Sequence, residues 1–416
     1  MATSTHTTFK PGAMLAGDTR AVTGRRLESL DVFRGLTIAG MVLVNNPGSA
    51  SYWPLDHADE LMTAHPAVWY PGKWWVDANG WTPTDLIFPF FLFIVGASMV
   101  LSFAARGVRG DSRLVLFKHA VRRSALILLI GYAIRILPYV DFAHMRYPGV
   151  LQRIALVYLC ASVITLWTSG RGRIVWVAGL LAGYYALIRF VPAPGCDHAW
   201  MTQHWGPQQA RSWLVGVEHC SLAGWLDRKL MLGHLYTRDF DPEGLLSTLP
   251  AIATTLLGTL AGEFLRGAAS LSRKLRGLAL AGVLGVAAGY AWHPWFPISK
   301  PLWTSSYVLF TAGAACLLLA LCWWLIEMRG WHAWSRPFLW LGSNAIMAYA
   351  LSTFVGKLGL IIKVADGVTV QTWVYEHWFA PLAQEKNASL AFALSYTALW
   401  MLMAWGLYRK KIFVKV

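Results

Sequence analysis

About ten apolar runs, separated by short basic or Trp- and Pro-rich connections, leave this 416-residue chain few folds to choose from. They lie near residues 30–45, 83–105, 121–137, 150–168, 174–191, 245–265, 277–293, 303–326, 338–356 and 388–408. In hydrocarbon, backbone N–H and C=O groups must be satisfied internally, which a helix does within a single segment. Hydrophobic residues make up 56% of the chain and charged residues only 14%, against roughly 25% charged in a soluble domain. The expected fold class is therefore an all-α integral membrane protein, a single polytopic bundle of about ten transmembrane helices.

Lysine and arginine set the expected orientation. They number 22 in segments 1–26, 106–123, 171–173, 266–276, 327–336 and 409–415, and 10 in the longer, alternating set between them. Positive charge gathers on the cytoplasmic side, so both termini are expected there. Residues 1–26 read as a flexible cytoplasmic tail and 27–416 as the membrane domain, with extracytoplasmic loops near 45–81 and 192–244. No apolar stretch before Arg26 resembles the core of a cleaved signal peptide. The net charge of +15 is spread over the connections rather than gathered on one face. Lipid headgroups are thus the expected partners, and nucleic acid is not.

Cys160, Cys316 and Cys322 fall inside apolar runs, where a thiol acts as a small hydrophobe. Cys196 and Cys220 bracket a polar segment in the long connection placed outside, with 23 residues between them, and are candidates for a disulfide. A metal site with His198 and His219 is the sharper alternative. Its spacing matches no standard zinc pattern, so no metal is expected. No GxxxxGK[ST], GxGxxG, HExxH or GxSxG motif occurs, which argues against an ATP-driven pump, a dinucleotide enzyme, a zincin and a serine hydrolase.

Polar chemistry concentrates between Ser29 and Gly96. Asp31 and Arg34 open the first apolar run, and Asn45, Asn46, Asp56 and His57 follow its far end. Such groups are expensive in lipid and mark pathways or reaction centres. Leu30 to Val44 gives only about 22 Å of helix, short of the roughly 30 Å hydrocarbon core, so the loop after it is expected to dip below the membrane surface. His57 is the one group from Asn45 to Asp59 that ordinarily titrates near neutrality, which suits proton transfer. Asp56 or Asp59 could orient its imidazole, and Asn45 or Asn46 could offer an amide to a developing oxyanion. The plainer reading is an interfacial histidine on an Asn-capped loop.

The motifs SLDVFRG (29–35), VNNPG (44–48), YWPLDHA (52–58), GWTPTDLIFPFFLFIVG (80–96), PGVLQRI (148–154), DPEGLLSTLP (241–250), ISKPLWTSSY (298–307) and LGSNAI (341–346) resemble the heparan-α-glucosaminide N-acetyltransferase family of transmembrane acyltransferases, in its bacterial branch. The resemblance implies an enzyme of the inner membrane that takes acetyl from cytosolic acetyl-CoA and delivers it to the amine of a glucosamine-type sugar on the far side. It implies His57 as the catalytic base or transient acetyl carrier. Asn45 best matches the family's partner asparagine, with Asn46 as its neighbour. A homodimer is the implied assembly. One departure is the insertion Glu60–Ala78, which adds His65 as a rival base.

Asp31 with Arg34, and Gln152 with Arg153, are the other intramembrane polar pairs. All four are candidates to hold the acyl donor, Arg34 nearer the cytoplasmic end and Arg153 nearer the outer end. For Arg34 a structural ion pair is an equal alternative. Trp53, Asp56, Trp81, Lys300 and Asn344 are candidates for the acceptor. Trp292, Trp295 and Trp303 read as belt anchors that could also stack on a sugar. Lys300 could anchor the outer interface, Asn344 could bridge helices, and Asp241-Pro242-Glu243 could cap the sixth span. The rival function is an amino-sugar transporter or permease that performs no acyl transfer.

Overall fold

The computed structural model describes residues 27–50, 55, 81–195, 220–237 and 240–414. Helix α1 (Glu28–Val44) is followed by a 3-10 turn, Pro83–Leu86, that leads into α2 (Ile87–Gly107). Next come α3 (Arg113–Ile136), α4 (Val150–Trp167), α5 (Gly170–Phe190) and the short α6 (Leu222–Met231). They precede α7 (Thr248–Arg266), α8 (Leu271–Trp292) and α9 (Ser305–Trp323), which runs into a π turn, Trp324–Met328. The chain closes with α10 (Arg336–Ser343), α11 (Ala345–Ile361), α12 (Val370–Val374) and α13 (Glu385–Arg409). Between α11 and α12, β1 (Lys363–Ala365) and β2 (Val368–Thr369) pair antiparallel, with Lys363 opposite Thr369.

Helix starts follow local chemistry. Ser112, Ser169, Ser221, Ser270 and Thr304 each accept a first-turn backbone N–H, at the starts of α3, α5, α6, α8 and α9. All ten apolar runs fall on helices, but the run at 338–356 is divided. An 85° bend separates α10 from α11. Among the described residues, seven helices are long and apolar enough to cross a membrane, or eight with the bent pair counted as one span. Two of the ten expected runs fall short for physical reasons. α1 has 17 residues, about 25 Å at 1.5 Å each, and α3 carries Arg113, Lys118, Arg122 and Arg123 in its first half.

The spans run alternately up and down. The end at which α1 finishes, the upper end, also holds the starts of α2, α4, α7 and α9 and the finish of α3. α2 and α7 form the centre, each with 67% of its apolar window buried, whereas α5, α8 and α13 bury only 22%, 17% and 22%. The outer helices carry exposed Leu280, Val283, Leu284, Leu394, Leu399 and Leu402, the surface a lipid-facing helix presents. Cys316 and Cys322 are buried as expected, but Cys160 is exposed on α4. Cys220 is disulfide-bonded. The remaining cysteine, Cys196, lies outside the described residues, as do His198 and His219 and the tail 1–26.

Close backbone approach fixes the centre. A Cβ at Gly96 would collide with the Thr255 carbonyl, and one at Gly258 with the Phe93 carbonyl. Gly258 and Gly262 are four residues apart, the small-residue spacing that lets membrane helices touch. At the lower end Gly35 meets the Phe338 carbonyl and Gly342 meets the Asp31 carbonyl, so α10 lies directly on α1. Asn344, 2% exposed, sits at the α10–α11 bend. Its Nδ2 donates to the Ile412 carbonyl at 3.0 Å, and its Oδ1 accepts the Val414 N–H at 2.8 Å. The expected helix-bridging asparagine is thus a clamp on the C-terminal segment.

Two outcomes follow. Gly258→Leu should lower the melting temperature and folded yield in detergent, by about 3 kcal/mol for overpacking, whereas Gly406→Ala, with open space around it, should change neither. Asn344→Ala should expose residues after Arg409 to limited proteolysis while the bundle stays intact, at a cost of about 1–3 kcal/mol for the lost buried bonds.

Candidate active site

α1 finishes at Asn45, whose N–H donates to the Met41 carbonyl at 3.2 Å. The two asparagines that follow from the sequence then differ. Asn46 is buried, and its Nδ2 donates to the Val42 carbonyl at 2.8 Å, closing the last turn of its own helix. The Asn45 side chain is exposed and makes no hydrogen bond among the described residues. The loop beyond is pinned to distant helices. Ser49 N–H donates to Ser389 Oγ at 3.0 Å, Ser389 Oγ donates to the Ser49 carbonyl at 2.9 Å, and Gln371 Nε2 donates to the Pro47 carbonyl at 2.9 Å. Farther along, Thr84 Oγ1 donates to the Leu55 carbonyl at 2.7 Å. His57, Trp53, Asp56, His65 and the Glu60–Ala78 insertion lie outside the described residues.

The segment W-T-P-T-D builds the upper end of α2. Thr82 and Asp85 form a reciprocal capping box, with Thr82 N–H donating to Asp85 Oδ2 at 2.9 Å. Asp85 is buried, and its Oδ1 lies 3.6 Å from Lys300 Nζ. Lys300 is therefore an ion-pair partner of the second span rather than an interfacial anchor. Trp81 Nε1 donates to Tyr290 Oη at 2.8 Å, and its ring tilts against Phe310.

A buried charge network lies between α3, α4, α6 and α7. Arg146 grips Asp241 with two bonds, Nε to Oδ2 at 2.7 Å and Nη2 to Oδ1 at 2.5 Å, and Nη2 also reaches Glu243 Oε2. Burial works against the Arg146 charge, yet the Asp241 and Glu243 carboxylates hold it protonated above its ordinary range. For Glu243, burial is outweighed by Arg146, Arg153 and Lys300, which hold its carboxyl below the usual value. Asp241 and Glu243 therefore neutralise an arginine and do not cap α7, whose N-cap Ser247 makes no side-chain cap bond. Arg135 and Tyr349 lie within electrostatic reach of Glu243.

Arg153, 1% exposed, donates from Nη2 to the Gly244 carbonyl at 3.0 Å and to Ser247 Oγ, and its guanidinium lies 5.2 Å from the Trp303 ring centre. Among the described residues its Nε and Nη1 are buried without an acceptor, and so is Gln152 Nε2. Trp303 is fully buried, donates to Thr254 Oγ1 at 3.1 Å and sits at φ 51°. A non-glycine residue held there stores about 1–3 kcal/mol, which this packing sustains. It is a platform for Arg153 and not a belt anchor.

The candidate residues thus divide between the two ends. Asn45, Asn46, Trp81, Gln152, Arg153 and Lys300 gather at the upper end. Asp31, Arg34 and Asn344 belong to the lower end, where Arg34 donates to Asp31 Oδ1 at 2.9 Å, to the Gly342 carbonyl at 3.3 Å and to Ser98 Oγ at 2.5 Å. Asp85, Arg146, Asp227 and Asp241 were missed as site residues. Asp85 carried a signal, as a lone acid at the start of an apolar run, whereas Asp227 beside Arg228 and Lys229 and Asp241 beside Glu243 look like ordinary charged connections. No group of three or more His, Cys, Asp or Glu that could hold a metal occurs among the described residues.

Residues 26–288 match the family model described as heparan-alpha-glucosaminide N-acetyltransferase, catalytic. Two curated proteins named heparan-alpha-glucosaminide N-acetyltransferase are similar along almost the whole chain. The one from Mus musculus is 30% identical over 96% of this chain, and the one from Homo sapiens is 29% identical over 97% of it. The chain spans 62% of the length of each. A match over more than half of the chain, from α1 into α8, establishes that the chain belongs to the heparan-alpha-glucosaminide N-acetyltransferase catalytic family.

Proposed function

We propose that this protein is a transmembrane N-acetyltransferase that moves acetyl from cytosolic acetyl-CoA to the amine of a glucosamine-type sugar on the other side of the membrane. The match to the family's catalytic region carries this reading, and the names of the two relatives supply the sugar and the group transferred. In this reading the upper end faces outward and the membrane is the bacterial inner membrane. The protein works as a homodimer, and no metal takes part.

Amide formation needs a neutral amine, a held thioester and stabilised charge on the carbonyl oxygen. His57 takes the proton from the attacking amine as the C–N bond forms, and the C–S bond then breaks and the proton passes to the coenzyme A thiolate. In the two-step variant His57 carries the acetyl group between donor and sugar. Asn45 donates its amide to the oxyanion. The engagement of the Asn46 amide with Val42 supports Asn45 as the donor, because a group bound to its own helix is not free to turn toward a substrate. Gln152 and Arg153 hold the donor's polar groups, and Trp53, Asp56, Trp81 and Lys300 shape the acceptor end. Arg34 and Asp31 meet the donor nearer its cytoplasmic entry. Asn344 acts at a distance, through the C-terminal segment.

The test is acetyl transfer by the purified protein from labelled acetyl-CoA to glucosamine. Wild type should label the sugar. His57→Ala should lose about 10³-fold or more and Asn45→Ala about 10²-fold, while Asn46→Ala should mainly lower the melting temperature. Absence of transfer to any amino sugar, with sugar uptake into proteoliposomes unchanged in His57→Ala, would sink the enzyme reading and leave a permease.

A further inference from the structure

Asp227 takes no part in the chemistry above, yet it is a fully buried acid on a helix that does not span the membrane. α6 begins two residues after the disulfide-bonded Cys220, and Ser221 caps it by accepting the Gly224 N–H. A buried carboxylate needs donors for both oxygens. Asp227 Oδ1 accepts the Leu245 N–H at 3.0 Å, but Oδ2 has no partner among the described residues. That oxygen fits only because residue 244 is glycine, since a Cβ there would collide with it. The carbonyl of the same glycine accepts Arg153 Nη2 at 3.0 Å.

We propose that Asp227 is a positioning residue of the candidate site: its carboxylate fixes the Gly244–Ser247 turn that holds Arg153, and gain or loss of a proton on it changes how firmly Arg153 is held. The charged and titratable groups facing it come from four elements. They are Asp241 before α7, Arg153 on α4, Arg228 on α6 itself and Tyr184 on α5. Burial pushes the Asp227 carboxyl up to about 7, the Leu245 N–H opposes this, Asp241 adds to it, and Arg153 and Arg228 oppose it. The acid therefore changes charge near neutrality. Its ionised form attracts Arg153 toward the turn, and its neutral form loses that attraction.

This inference rests on the acyl-transfer reading for one readout and is independent of it for the other. Asp227→Asn keeps the shape and the acceptor for Leu245 while removing the charge. In the full-length protein, the ratio of mutant to wild-type acetyl transfer cancels the titration of His57 and of the sugar amine. That ratio should be near one at about pH 5.5 and fall about tenfold by about pH 8.5. A ratio constant across this range marks a merely structural residue and overturns the proposal. The second readout is melting in detergent. An acid whose folded value is raised from 3.8 to about 7 leaves the wild type progressively less stable than Asp227→Asn as pH rises between those values. The melting gap should therefore widen in favour of asparagine from about pH 4.5 to about pH 7.5. A gap that does not move with pH overturns the proposal even in a protein that transfers no acetyl group, whereas a widening gap without transfer overturns only the enzyme reading.

Discussion

Neutralising Arg146 in an apolar bundle is the constraint on which the upper end depends. Removing one partner of such a buried pair typically costs 3–5 kcal/mol, because the other charge is left in a poor solvent. Asp241 and Glu243 meet this need from a single turn. For that turn to reach Arg146, it cannot continue as helix upstream of α7. Pro242 removes a donor and Gly244 leaves room for Asp227, so the D-P-E-G sequence suits a charge-bearing turn better than a helix cap. The same turn then offers the Gly244 carbonyl and the Ser247 hydroxyl to Arg153. One sequence motif thereby ties the ends of α3, α4, α6 and α7 together.

Glycine contacts give this network a stiff support. α2 and α7 meet backbone to backbone at Gly96, Gly258 and Gly262, and α1 meets α10 at Gly35 and Gly342. Dispersion gains little from one atom pair and much from a long close-packed seam, and in lipid that seam stands in for the missing hydrophobic drive. α1 is consequently a short rod locked at its lower end by Arg34 and the Gly342 carbonyl. Its other end delivers Asn45 to the end of the bundle that also holds the charge network.

Much of this was legible in the sequence, because the period and length of apolar runs report directly on backbone satisfaction in lipid. Helix positions, the alternation of the spans and the shortness of α1 all follow from that rule. The bend at Asn344 does not, since an asparagine within an apolar run looks the same whether it bridges two helices or clamps a returning tail. Partnerships across the sequence were also hidden. Lys300 lies 215 positions from Asp85 and Arg146 lies 95 from Asp241, and charge type alone does not say which acid meets which base. Trp303 misled for a related reason: a tryptophan near a span's end is usually an anchor, and only its φ of 51° and its buried contacts mark it as a platform.

Arg34 and Arg153 look alike in sequence, each an arginine in an apolar run with a polar neighbour close by. Their donors separate them. Arg34 directs its nitrogens at a carboxylate, a carbonyl and a hydroxyl on three different elements, which fastens helices together at the proposed donor entry. Arg153 is more deeply buried, yet among the described residues two of its nitrogens meet no acceptor. Such unmet donors cost about 1–3 kcal/mol each in a closed interior. Unmet donors on Arg153 beside Gln152, whose amide is also unmet, suit a surface that receives a polar group from elsewhere. Unmet nitrogens are not peculiar to the upper end, because Arg173 Nε and Nη1 at the start of α5 meet no acceptor among the described residues either; what sets Arg153 apart is the unmet Gln152 amide next to it.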